Sequence, residues 1–202
     1  MKSSLMRVIR VIRLMSAVAG AMVLGACAVK VHEHGTEKPQ KASMHQGMAG
    51  MMGKVAAASL SPAATGAQVS GLVVFHQMEG HLMAHVRIRG LEPMSVHGFH
   101  VHEKSSCASV DFSSAGGHFN PDGKPHGEQS GERHAGDLPN LTADAQGMVD
   151  QKIMLHGLTL AAGDRSIDGR TLILHANPDD YKSQPAGNSG PRIACGLIAR
   201  YG

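Results

Sequence analysis

The chain has 202 residues, with 25 Gly, no Trp and aromatics at only 3%. That is room for one domain with extensions, turn-rich and β-rich, with a core of Val, Ile, Leu and Met. The formal charge of +3 misleads, because Lys2, Arg7, Arg10 and Arg13 lie in the first 26 residues, which hold no acid. The remainder is close to neutral, so charge gives no argument for a nucleic-acid partner.

Residues 1–26 read as a targeting segment. A basic stretch runs to Arg13, and the apolar run Leu14–Leu24 is shorter than the roughly 20 residues a membrane span needs. It ends at Leu24-Gly-Ala-Cys27, which resembles a bacterial lipobox. The resemblance implies cleavage before Cys27 and diacylglycerol on its sulfur, with Ala28 leaning toward outer-membrane sorting. Several acyl chains, at about 0.8 kcal/mol per buried CH₂, hold a protein firmly on a bilayer. The alternative is ordinary secretion, with Cys27 an incidental thiol. If Cys27 carries lipid, Cys107 and Cys195 remain as an even pair in an oxidising compartment.

Residues 27–66 read as a flexible tether without apolar periodicity. They carry His32, His34, Met44, His45, Met48, Met51 and Met52, whose thioethers and imidazoles suit copper, Cu(I) above all. The tail thus reads as a copper-gathering segment or as plain linker.

From 67 onward the pattern changes. Gln68–Phe75 and His81–Ile88 read as strands around a turn at Glu79-Gly80, followed by strands at 98–103, 147–155, 170–176 and 193–201. The stretches 104–140 and 177–192 are too long for simple connections and are expected to carry function. Short strands with turn signals between them favour an antiparallel sandwich or barrel.

Within this frame, His97-Gly-Phe-His-Val-His-Glu103 is the most informative segment. Strand side chains alternate, so His100 and His102 share one face while Phe99 and Val101 turn to the core. Two imidazoles on one rigid face are half of a transition-metal site. The first long stretch adds His118, His126, His134 and Asp137, a donor set suited to tetrahedral zinc, and a later strand ends in His175.

These blocks resemble the copper/zinc superoxide dismutase family over roughly residues 67–202. The resemblance rests on Gly98–Glu103, Gly117-His-Phe-Asn-Pro121, His126, His134-Ala-Gly-Asp137, Gly169–His175 and Gly190-Pro-Arg-Ile-Ala-Cys-Gly196. It implies an eight-stranded Greek-key β-barrel or sandwich with one copper and one zinc ion per chain. By position, His100, His102, His118 and His175 are the implied copper ligands. His118, His126, His134 and Asp137 are the implied zinc ligands, with His118 shared. Arg192 is the implied anion guide, Cys107–Cys195 the disulfide, and Asp179 the carboxylate joining the two sites, with Asp180 its competitor. Lys182 is an unassigned cation nearby. His97 falls on the opposite parity and reads as structural. His76, His81, His85 and His156 read as structural or surface residues, or as an accessory metal or haem site.

The activity so implied is dismutation of superoxide to O₂ and H₂O₂ in the bacterial periplasm. The chain would be lipid-anchored, would protect the cell envelope, and would be either a homodimer or a monomer. The competing reading is a membrane-tethered copper/zinc buffer or copper carrier on the same fold. Arg192 argues against it, since storage needs no anion guide.

Overall fold

A computed structural model describes residues 54–63 and 68–201. Its ten strands are β1 (Val55–Pro62), β2 (Ser70–Gln77), β3 (His81–Arg89), β4 (Val96–His97), β5 (Phe99–His102), β6 (Leu141–Thr142), β7 (Val149–His156), β8 (Thr171–His175), β9 (Arg192–Leu197) and β10 (Ala199–Tyr201). The only helical piece among the described residues is the 3₁₀ turn Ser113–Ala115. No helix among them is long and apolar enough to cross a membrane.

An eight-stranded antiparallel sheet runs β5-β8-β9-β1-β2-β3-β7, with β10 beside β1, and β4 and β6 form a separate pair. The chain leaves β3, crosses to the far edge to make β5, and returns through β7 to pair with β3. That crossing is the Greek-key signature. The sheet curls around a core of Val73, Phe75, Leu82, Val86, Phe99, Val101, Leu155, Leu172 and Leu174, each supplied by the inward parity of its strand.

Two expectations change. The segment 27–66 contains β1, which pairs β2, β9 and β10. The folded unit therefore includes residues assigned to the tether. Strand β1 reads Val-Ala-Ala-Ala-Ser-Leu-Ser-Pro, and Ala56, Ala57, Ala58 and Leu60 are all buried. Alanine is a poor strand signal and its run hides the alternation. The core is also free of methionine among the described residues: Val, Ile, Leu, Ala and Phe fill it. Met78, Met94, Met148 and Met154 are exposed and Met83 is half-buried. The tail histidines and methionines from His32 to Met52, and Cys27, lie outside the described residues.

A candidate two-metal centre

Strand β5 places Phe99 and Val101 in the core and turns His100 and His102 to the opposite face, where both are fully buried. The neighbouring β8 adds His175 at its end. The loop strand carrying His118 lies along the free edge of β5 through a bridge with His102. These four histidines form one convergent donor set.

In each ring, one nitrogen is held and the other points inward. His102 Nδ1–H donates to Gly116 O at 3.0 Å and His175 Nδ1–H to Gly190 O at 3.1 Å. A carbonyl only accepts, so both rings carry the proton on Nδ1 and offer a lone pair at Nε2. His100 Nε2–H donates to Asp179 Oδ2 at 2.9 Å, which leaves Nδ1. His118 Nδ1 is 2.7 Å from Asp137 Oδ1, which leaves Nε2. The four remaining nitrogens are buried without any hydrogen-bond partner. Four orphaned acceptors facing one point are costly in a protein interior. A transition-metal cation removes that cost, and neutral imidazoles suit copper.

The second cluster shares His118 and adds His126, His134 and Asp137. His134 Nδ1 is 3.1 Å from Asp137 Oδ1 and 3.4 Å from His118 Nδ1, and His126 Nδ1 is 3.0 Å from Asp137 Oδ2. That last contact lacks hydrogen-bond direction, so His126 Nδ1 also counts as unpartnered. A tetrahedron with zinc–ligand bonds near 2.0–2.1 Å has edges of about 3.3 Å. The observed separations bracket that value, so the donor set fits zinc. Backbone N–H groups of Gly127 and His134 donate to Asp137 Oδ2 and fix the carboxylate.

Electrostatics separate the clusters. Burial pushes His102 down to about 2, His118 to about 4 and His175 to about 3, and lowers His100 as well. These rings stay neutral, as metal ligands must. Burial also acts to lower His126, but the carboxylates of Asp137 and Asp179 outweigh it and raise it to about 9. Burial favours the neutral acid at Asp137, yet the close imidazoles of His118, His126 and His134 hold it well below the usual carboxylate range.

Asp179 joins the clusters. Its Oδ2 accepts from His100 and its Oδ1 accepts from His126 Nε2–H at 2.9 Å. Asp180 is exposed instead and caps the N–H groups of Lys182 and Ser183. Two positioning residues escaped sequence reasoning. Asn140 grips the backbone of Asp179, its Nδ2 donating to the carbonyl and its Oδ1 accepting from the N–H. Gln184 grips His126 in the same two-handed way. Each acts across a long sequence separation, with no local motif to reveal it. His97 is buried and donates through Nδ1 to His175 O at 2.8 Å, so its role is to brace the carbonyl of a ligand residue.

A cavity of about 270 Å³ opens onto the centre between His118, His175, Pro185, Ala186 and Arg192. Arg192 donates Nη1–H to Phe112 O at 2.6 Å and Nη2–H to Gly116 O at 2.7 Å. It makes no ion pair within 4 Å among the described residues, so its charge is left to act on the cavity. Cys107 and Cys195 form a disulfide that ties the loop bearing these carbonyls to β9, the strand of Arg192. Lys182 is exposed and is not part of the cavity wall.

A curled antiparallel barrel with two buried donor clusters sharing one imidazole, under a fixed cation, defines a two-metal redox protein. The family model described as copper/zinc superoxide dismutase matches residues 69–198, and the chain belongs to that family. It is 40% identical over 139 residues to copper–zinc superoxide dismutase 2 of Aquifex aeolicus (strain VF5), covering 66% of this chain and 81% of that one. It is 41% identical over 140 residues to the copper–zinc superoxide dismutase of Yarrowia lipolytica, covering 65% and 90%. Among solved structures, a SOD-like protein from Bacillus subtilis superposes with a TM-score of 0.63 at 38% identity, over 70% of this chain and 96% of that one. A double mutant of that protein gives 0.64.

Proposed function

We propose that the chain dismutes superoxide, 2 O₂•⁻ + 2 H⁺ → O₂ + H₂O₂, at the His100–His102–His118–His175 cluster. The observation that carries this is the convergence of four unpartnered ring nitrogens beside an arginine fixed by two carbonyls and engaged in no ion pair among the described residues. Family membership supports it.

Copper held by His100 Nδ1 and by Nε2 of His102, His118 and His175 would supply one-electron exchange, and zinc held by His118, His126, His134 and Asp137 a fixed positive charge. The residues do the rest. Arg192 attracts the superoxide anion and orients it at the cavity floor. His118 Nε2 can hold a proton and release it to the reduced product, while its Nδ1 side keeps the ring in place. Asp179 fixes the tautomers of His100 and His126.

The reading extends to one copper and one zinc per chain, a lipid anchor on Cys27, an outer-membrane periplasmic location, and a Met/His tail that hands copper to the centre. Pulse-radiolysis decay of superoxide, on protein carrying one copper and one zinc per chain, tests the activity. Near-diffusion-limited consumption that weakens with ionic strength is expected. A fully loaded protein without activity would instead favour the copper/zinc buffer.

A further inference from the structure

The outer face of the β2–β3–β7 layer is unusual for a solvated sheet surface. Such faces are normally polar and charged on the outward parity. Here Met83 of β3 stands directly opposite Met154 of β7, and two residues along the same face His81 stands opposite His156. His76 of β2 stands opposite Met83 on its other side. All five side chains take the outward parity: Met83 and His81 are half-buried, and Met154, His156 and His76 are exposed.

Cross-strand partners lie about 5 Å apart and same-face neighbours along a strand about 7 Å apart. Met83, Met154, His81 and His156 therefore occupy the corners of one small rectangle, two thioethers on one side and two imidazoles on the other. We propose that this rectangle is an accessory Cu(I) site, separate from the two-metal centre and independent of its activity.

Two further observations support it. The His81 and His156 ring centroids are 5.9 Å apart. That matches pairs already converging on the two-metal centre, such as His102–His175 at 5.8 Å and His118–His134 at 5.4 Å. His81 Nδ1–H also donates to Glu79 O at 3.0 Å, which sets the tautomer and leaves Nε2 as a free donor atom. A backbone carbonyl behind a ligating imidazole is the usual support of a metal-bound histidine. His85, on the same face, is instead paired with Asp150 at 2.6 Å and is outside the site.

The chemistry selects the ion. Two soft thioethers with two imidazoles, and no carboxylate in the rectangle, favour Cu(I) over hard or strongly hydrated divalent ions. Met83 is half-buried and Met154 exposed, so the pair presents soft, polarizable sulfur at the surface of the sheet.

The test uses the full chain with its two-metal centre already loaded, titrated with Cu(I) against bathocuproine disulfonate under anaerobic conditions. The Met83→Leu/Met154→Leu variant keeps the shape and the tail methionines, and should bind one Cu(I) equivalent fewer than the parent. His81→Gln should weaken that equivalent tenfold or more. With ¹³C-methyl methionine labelling, the Met83 and Met154 resonances should shift together within the first equivalents. Superoxide decay should be the same in parent and variants. Unchanged Cu(I) stoichiometry in the double variant, with unmoved Met83 and Met154 methyls while others shift, would overturn the site.

Discussion

Asp179 holds His100 of one donor cluster and His126 of the other, each through its own carboxylate oxygen at 2.9 Å. The carboxylate is buried, and the hydrogen bonds from both rings overcome burial to keep it ionised well below the usual range. It can therefore accept from both Nε2–H groups at once, which a neutral amide cannot do.

Asp179→Asn tests that relation. The amide has one accepting and one donating end, so one ring must move its proton to Nδ1 and lose the lone pair it offers a metal. Metal affinity should fall about 10–100-fold by chelator competition, the usual range for outer-shell partners. Asp180→Asn should leave it unchanged, because the Asp180 carboxylate holds only Lys182, Ser183 and Asn188 at the exposed surface of the loop and touches neither histidine.

The pairing of His100 with His102 was legible from sequence because strand parity is strict. His100 and His102 must share a face once Phe99 and Val101 face the core. The choice between Asp179 and Asp180 was not legible, because adjacent carboxylates differ only in which way the loop turns. Asn140 and Gln184 were invisible for a related reason: each grips a backbone segment 39 and 58 residues distant. Strand β1 was missed because Ala56 to Ala58 give no hydrophobic contrast between faces. Methionine was placed in the core on hydrophobicity alone, whereas the tightly curled sheet uses branched and small side chains.

Gly187 tests how closely the loop is fitted over Asp179. It has φ of +62°, and an added Cβ would meet Asp179 Oδ1 and His126 Nε2. Gly169 has φ of +78° with open space around its Cβ position. Both alanine variants should lose about 1–2 kcal/mol to left-handed backbone. Only Gly187→Ala should also weaken metal binding, by tenfold or more. Equal metal affinities for the two variants would show that the carboxylate tolerates displacement.

Arg192→Ala should lower the rate of superoxide consumption about tenfold or more and flatten its dependence on ionic strength, because steering by a fixed charge is screened by salt. Arg192→Lys should recover part of the rate, since charge returns but the two-carbonyl grip on Phe112 and Gly116 does not. A salt dependence as steep in Arg192→Ala as in the parent would assign the guidance to other charges.

The metal-free protein should be most stable near pH 6.5. His102, His118 and His175 have folded values of about 2, 4 and 3, all below the unfolded value of about 6.5. As pH falls below 6.5 the unfolded chain binds more protons, so stability is lost. Asp137 and Asp179 are also depressed, and they add a further loss once pH falls below the unfolded carboxylate value. His126 behaves oppositely: raised to about 9, it stabilises fully below 6.5 and loses that contribution as pH rises toward 9. Thermal unfolding across pH 4–9 should show the maximum. Zinc needs His126 neutral, so zinc uptake at pH 7 should release a proton, measurable by calorimetry in buffers of different ionisation enthalpy.

The disulfide links stability to anion guidance. Cys107 and Cys195 are separated by 88 residues, and the chain-entropy account gives about 4–5 kcal/mol for closing such a loop. The same bond ties down the loop that ends in Phe112 and Gly116, the two carbonyls that aim Arg192. A small second core of Ala63, Phe112, Ala115, Ile173 and Cys195 packs around it. Cys107→Ser should therefore lower the unfolding midpoint by roughly 10–20 °C and also flatten the ionic-strength dependence of superoxide decay at temperatures where the chain remains folded. Destabilisation with salt dependence intact would separate the two roles, leaving the disulfide a staple only and the carbonyls held by that second core.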